Sequence, residues 1–378
     1  MTMRTGWLRT LVLTALLTVA CASVAPPGAR NASSAATAAR TSAIPTSSPA
    51  LKVQCPPPSN RCLALVTLRG SNGVVVRDIT DIAHAKTVGN LGQIPAPQFA
   101  SGSLITYADG TDMWSEPVGG YATRMPPPFP GIGVFAWSPD GNALVFVHGD
   151  AAADTGMDVS LWTRGGTLKA LGSIPPMGAG GCETYAGCTL PNWMDFQLHF
   201  SPDGTLISLV IRSFSGTVFR IWSADGKLLK INDSFGATMS AWSGHGLYLR
   251  DANGVSVWRN GSFSMFLPGV AWITPSASPG GGVIVYSARD SDGWAHTYVV
   301  DTATASAHEL KKARTGARFL TSRYIWYQGE RDCQPQDQCG ASPAIRPLSG
   351  KTYIYDLLDG TESESIITRV YDVWPHAA

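Results

Sequence analysis

An all-β fold built from a repeated unit is predicted for this 378-residue chain by three observations. After Cys62 the sequence becomes short apolar or alternating runs separated by Gly, Asp, Asn and Pro, with no sustained helical period. Turn formers are abundant, with 40 glycines and 26 prolines, whereas charged residues make up only 15% of the chain. Two near-identical stretches, Trp137-Ser138-Pro139-Asp140-Gly141 and Phe200-Ser201-Pro202-Asp203-Gly204, each lie between one β-like run and the next and recur in eroded form elsewhere.

Residues 1–21 read as a signal peptide. Arg4 and Arg9 precede an apolar run from Leu11 to Leu17 and then Thr18-Val19-Ala20-Cys21, and this apolar core is too short to span a bilayer. The small Ala20 before Cys21 resembles the bacterial lipobox, so cleavage and lipidation at Cys21 are expected, although Thr18 stands where that pattern prefers Leu. The alternative is an ordinary secretory signal cut after a nearby alanine. Residues 22–50 are almost entirely Ala, Ser, Thr and Pro and are expected to form a disordered tether. The expected address is the bacterial cell envelope, on the extracytoplasmic face of a membrane through the lipid anchor, or otherwise the secreted fraction.

Setting Cys21 aside leaves six cysteines in three close pairs: Cys55 with Cys62, Cys182 with Cys188, and Cys333 with Cys339. Three local disulfides are the simplest assignment in an oxidising compartment, with connectivity left open. A metal site fits less well, because the spacings exceed Cys-x-x-Cys and no His lies within the later two pairs. Each small loop gains only about 2 kcal/mol from chain entropy, enough to stiffen a loop.

Residues 51–378 carry the repeats. One column of strand-like runs contains Val74 to Asp78, Asp112 to Ser115, Val159 to Thr163, Phe219 to Ser223, Val255 to Arg259, Tyr298 to Asp301 and Tyr353 to Asp356. These seven copies recur every 36 to 60 residues or so, the length of a four-stranded propeller blade plus insertions. A second column, of turns, runs through Phe99 to Gly102, Trp137 to Gly141, Phe200 to Gly204, Trp242 to Gly244, Ser278 to Gly280 and Leu320 to Arg323. Only six turns precede a matching strand, and the chain ends on an orphan strand, Arg369 to Trp374. The prediction is therefore a seven-bladed β-propeller of four-stranded blades, closed by the C-terminal strand pairing with the N-terminal blade. Closure of that kind removes free sheet edges.

The Trp-Ser-Pro-Asp-Gly turns resemble those of WD-repeat-like propellers, and more closely those of the periplasmic TolB propeller. The resemblance covers roughly Cys62 to His376 as architecture, without the domain that precedes the propeller in TolB. It implies the fold and a habit of binding on one face. Within the turns, Asp140 and Asp203 suit hydrogen bonding to nearby backbone N–H groups and Gly141 and Gly204 suit positive φ, so both pairs read as structural.

A net charge of +1 without a dense Lys/Arg run argues against nucleic acid. No Gly-x-Ser-x-Gly elbow, phosphate loop or His-Glu-x-x-His occurs, so no catalytic residue, cofactor or metal is assigned. Two insertions, Ser173 to Asp195 and Gly329 to Lys351, belong on one rim and contain the later cysteine pairs. Glu183, Tyr185, Trp193, Glu330, Arg331 and Asp332 are then candidates for a surface that binds a protein or envelope component. His199 and His376 lie in or beside innermost strands, where they could line the channel, and Tyr371, Asp372, His199 and Gln197 could together ligate a metal or small molecule. Three functions stand: a binding module, a propeller enzyme such as a lyase or glycan-active hydrolase acting at the channel mouth, and a structural envelope component with no small-molecule site.

Overall fold

The computed structural model describes residue 55 and residues 61–109, 112–125, 132–149, 156–174, 195–213, 216–232, 239–291, 293–337 and 346–376. The strands all lie in the unit Thr41–Ala378. Cys21, the proposed lipid site, and the expected tether 22–50 therefore lie outside the described residues.

Seven antiparallel sheets of four strands form a closed ring, as the repeats predict. Among the described residues there is no α-helix, and a 3-10 turn at Ile82–His84 is capped by the Asp81 side chain. Numbering blades along the chain, the innermost strands are Ile367–Trp374 in blade 1, then Gln98–Ser101, Ile132–Trp137, Asp195–Phe200, Met239–Ser243, Ile273–Ala277 and Arg314–Phe319 in blades 2 to 7. All seven copies in the strand column fall in the third strand of a blade.

The middle strands are apolar on both faces because both faces meet a neighbouring blade. In Leu63–Leu68, Leu63 and Leu65 pack with Phe99 and Ile105 of blade 2, whereas Ala64 and Val66 pack with Leu320 and Trp326 of blade 7. The period-2 alternation thus divides one strand between two cores. Leu209 and Ile211 likewise belong to the core shared with blade 3, and Val210 to the core shared with blade 5. Indole N–H groups add directional contacts across these seams, from Trp137 to the Thr106 hydroxyl at 2.7 Å and from Trp242 to the Ser208 hydroxyl at 2.7 Å.

Ring closure follows the predicted route. Ile367–Trp374 pairs antiparallel with Leu63–Leu68, placing Leu63 opposite Trp374 and Leu68 opposite Ile367. Trp374 then covers Phe99 in a tilted ring contact at 6.5 Å and lies over Gly102, where a Cβ would come within 2.5 Å of the indole nitrogen. The last strand therefore buries surface of both the first and second blades.

The two Ser-Pro-Asp-Gly turns join the first and second strands of blades 3 and 4. In blade 3 the Ser138 hydroxyl donates to Asp140 at 2.6 Å and accepts from the Ala143 N–H at 2.8 Å, and Gly141 N–H donates to the Ser138 carbonyl at 2.8 Å. Ser201, Asp203, Gly204 and Leu206 repeat the pattern in blade 4. Both aspartates are held below the ordinary carboxylate pKa: burial opposes this, but the serine hydroxyl and backbone N–H donors outweigh it. Their role is structural, as expected. In blade 7 no such turn remains, and Arg323 bridges Asp356 and Asp359 instead.

Candidate functional site in the central channel

Every inner strand runs from the rim where the chain enters a blade toward the rim of the first turns. Residues late in these strands therefore gather at the turn end. A cavity of about 510 Å³ follows the channel and takes lining residues from all seven inner strands, with Pro139 and Pro202 of the two turns at its mouth.

Polar side chains in this lining first serve as clips between neighbouring inner strands, which share no sheet hydrogen bonds. Asp372 Oδ2 accepts the Phe99 N–H at 2.8 Å, joining blades 1 and 2. Gln98 donates to the Phe135 carbonyl at 2.8 Å, joining blades 2 and 3. Gln197 Oε1 accepts both the N–H and the hydroxyl of Ser240 at 2.5 and 2.9 Å, joining blades 4 and 5. Ser276 Oγ accepts the Phe319 N–H at 3.3 Å, joining blades 6 and 7. These contacts satisfy backbone N–H groups and one carbonyl that an isolated inner edge would leave without partners.

Four titratable groups share the turn end of the cavity: His199, Arg318, Asp372 and His376. Asp372 is heavily engaged, since Oδ1 accepts the Val373 N–H at 2.9 Å and Oδ2 also meets His376 Nε2 at 3.0 Å. Burial disfavours the charged His376 ring, but the Asp372 carboxylate outweighs it and raises the imidazole pKa. His199 behaves oppositely. Its ring opens onto the channel, yet the surrounding wall solvates an imidazolium poorly, and this desolvation together with the Arg318 charge lowers its pKa. Arg318 is also open to the channel and is lowered by desolvation, with Asp372 opposing the shift and Arg369 adding to it. Neither His199 nor Arg318 hydrogen-bonds or ion-pairs with a described residue.

The sequence-predicted residues thus separate. His199 and His376 do line one cavity with Gln197, Tyr371 and Asp372. Among the described residues no three His, Cys, Asp or Glu side chains are grouped to hold a metal. Gln197 already uses its carbonyl oxygen as a clip, and the Tyr371 hydroxyl accepts from Thr67 at 3.3 Å. Arg318 was not singled out from the sequence. The available signal was a lone cation shortly before the turn that ends the inner strand of blade 7.

On the opposite rim, Thr167–Ile174 ends and Asp195–Phe200 begins, and Tyr324–Glu330 gives way to Leu348–Asp356, so both long connections leave from one face. Glu183, Tyr185, Trp193, Cys182, Cys188 and Cys339 lie outside the described residues. Glu330 is a correction to the expected surface. It is the last residue of a strand, its side chain is wholly buried, and its oxygens accept from Arg289 at 2.6 Å and from the Ala295 N–H at 2.8 Å. It holds blade 7 to blade 6 and offers nothing to a partner. Arg331 is bidentate to Asp337 within its own loop, which lowers the Asp337 pKa to about 2, and Asp332 faces Arg346 at 3.4 Å. Cys333 is disulfide-bonded, and Cys55 joins Cys62 with a Cα separation of 5.4 Å.

Seven four-stranded antiparallel blades closed around a lined channel define a β-propeller. No protein-family model matches the chain, and none of the curated proteins does. Solved structures are similar to it. TolB from Acinetobacter baumannii is 16% identical, the match covering 65% of this chain and 62% of that one, with a TM-score of 0.42. An acylaminoacyl peptidase from Pyrococcus horikoshii is 14% identical over 81% of this chain and 50% of its own, with a TM-score of 0.51. A puromycin-hydrolysing peptidase of Mycobacterium tuberculosis is 14% identical over 81% of this chain and 53% of its own, with a TM-score of 0.50. The chain thus spans less than two thirds of the TolB chain and about half of each peptidase. At these identities the likeness to the two peptidases shows the propeller fold alone.

Proposed function

We propose that the chain is an extracytoplasmic binding module: a propeller held to a membrane through a lipid on Cys21 and the tether 22–50, taking a protein or cell-envelope ligand at the turn end of its channel. The observation that supports this most is the pair Arg318 and His199, which face a cavity of about 510 Å³ without a described protein partner. That volume suits a small group or the end of a chain. Of the charges expected on the opposite rim, the described ones already have partners: Glu330 in Arg289, Arg331 in Asp337 and Asp332 in Arg346.

A propeller enzyme, such as a lyase or glycan-active hydrolase, is the second reading. It draws on the 3.0 Å contact between Asp372 and His376, because a carboxylate that orients an imidazole can make a general base. Yet the channel hydroxyls of Ser240 and Ser276 already serve as clips to Gln197 and the Phe319 N–H, which disfavours either as a nucleophile.

A photo-reactive residue at Pro202, beside the channel mouth, and another at Asp332, on the opposite rim, separate the binding faces in intact cells. The proposal expects a discrete adduct from position 202 and none from 332. Adduct from 332 alone would move binding to the disulfide-loop face. Turnover abolished by a His199→Ala, His376→Ala double substitution would favour the enzyme. The anchor is tested by mass, since Cys21→Ser should remove a diacylglycerol adduct and membrane retention.

A further inference from the structure

We infer that the turn end of the channel binds a carboxylate group, with the Arg318 guanidinium as its main partner and the His199 ring N–H as a second donor. This rests on the reading of the channel as the ligand site and names the chemistry that site accepts.

Arginine presents a rigid fork of donors that matches a carboxylate in two parallel hydrogen bonds. Arg318 lines the cavity, is open to it, and has no hydrogen bond or ion pair among the described residues. The carboxylate it senses, Asp372, is taken up by the Phe99 N–H, the Val373 N–H and His376. The guanidinium is thus partly desolvated at the channel wall while its nearby carboxylate is shared among other donors, and an anionic ligand group would give it a partner of its own.

His199 suits the second position because it stays neutral. Desolvation and the neighbouring Arg318 charge both disfavour its imidazolium, so at neutral pH it offers one N–H and one acceptor nitrogen. Charge balance then selects the ligand. Arg318 faces Asp372, while a second guanidinium, Arg369, is stacked 4.7 Å over the channel-lining Tyr371 ring. With His376 paired to Asp372, the two guanidiniums leave this end of the channel positively charged, and the planar fork of Arg318 fits a carboxylate.

The test is NMR of the ring-labelled full folded chain, following His199 during titration with acetate, then with acetyl-trialanine bearing a free terminal carboxylate, and then with its amide. The inference expects saturable shifts at His199 with both acids and none with the amide. It also expects the His199 pKa to rise when acid is bound, because the added anion favours the charged ring. Tighter binding of the peptide acid than of acetate would identify a chain terminus as the source of the carboxylate, and equal binding a free small acid. Arg318→Gln should weaken acid binding about ten- to a hundredfold with unchanged circular dichroism, and Arg318→Lys should retain part of it. Binding of the amide equal to the acid, inorganic phosphate stronger than acetate, or an unchanged affinity in Arg318→Gln would overturn the inference. If no acid binds while the adduct from position 202 persists, the carboxylate site falls and the binding module stands. If acids bind and no adduct forms, the macromolecular ligand falls and the carboxylate site stands.

Discussion

The two rims of the ring differ in whether their charges already have partners. Where the long connections leave the blades, Glu330 is closed onto Arg289 and Ala295, Arg331 onto Asp337, and Asp332 faces Arg346. At the turn end, Arg318 and His199 open onto a cavity with none among the described residues. A loop rich in charge can thus spend that charge on its own structure, so the count of charges in a loop says little about what they are free to bind. Glu330 maintains the ring and Arg331 its own loop, whereas Arg318 and His199 line the cavity.

If that contrast is right, the largest stability loss belongs to the rim that looks functional in sequence. Glu330→Ala leaves Arg289 and a backbone N–H without their partner and should cost about 3–5 kcal/mol in urea unfolding. A loss below about 1 kcal/mol would show that the pair is not structural.

The turn glycines come next. Gly141 has φ of 69° and a Cβ there would meet the Ala100 carbonyl oxygen at 2.2 Å, whereas Gly204 has φ of 71° and its nearest neighbour would be Pro139 Cδ at 3.5 Å. Gly204→Ala should cost about 1–2 kcal/mol from backbone strain alone, and Gly141→Ala clearly more. Equal losses would contradict the close approach of blade 3 to blade 2.

Asp372→Asn should cost about 1–2 kcal/mol, since an amide replaces a carboxylate that accepts three hydrogen bonds, and should lower the His376 pKa. The two channel histidines also give opposite pH dependences. The Asp372 contact stabilises charged His376, so its contribution is full below the ordinary imidazole value of 6.5 and is lost as pH rises through the raised folded value. His199 favours the neutral form, so its contribution is present above 6.5 and is lost as pH falls toward about 4. Ring resonances followed across this range should show the two midpoints moving apart, and coincident midpoints would contradict the assignment. The smallest effect on the unfolding midpoint is expected for Arg331→Ala, whose partner Asp337 lies in the same surface loop.

Much of the fold was legible because its signals are local. Period-2 runs such as Val255 to Arg259 mark strands, and Ser-Pro-Asp-Gly carries its own hydrogen bonds and positive φ. Even ring closure could be read, from six turn motifs and one orphan strand. The site was only half legible. His199 and His376 could be placed near the channel from their strand positions, but the Asp372 clip to Phe99 joins residues distant in sequence and leaves no local mark. Glu330 was misread because the strand continues through it, where the sequence suggested a loop had begun. Arg318 carries little mark in the sequence because what distinguishes it is its place on the channel wall near Asp372, a property of the assembled ring.

The most direct test compares two double variants of the full chain for capture of the partner cross-linked at position 202. Arg318→Gln with His199→Gln should abolish capture, and Arg331→Ala with Asp332→Ala should leave it unchanged, both with intact circular dichroism. Capture that survives the first pair and is lost with the second would place binding on the opposite rim and contradict the account.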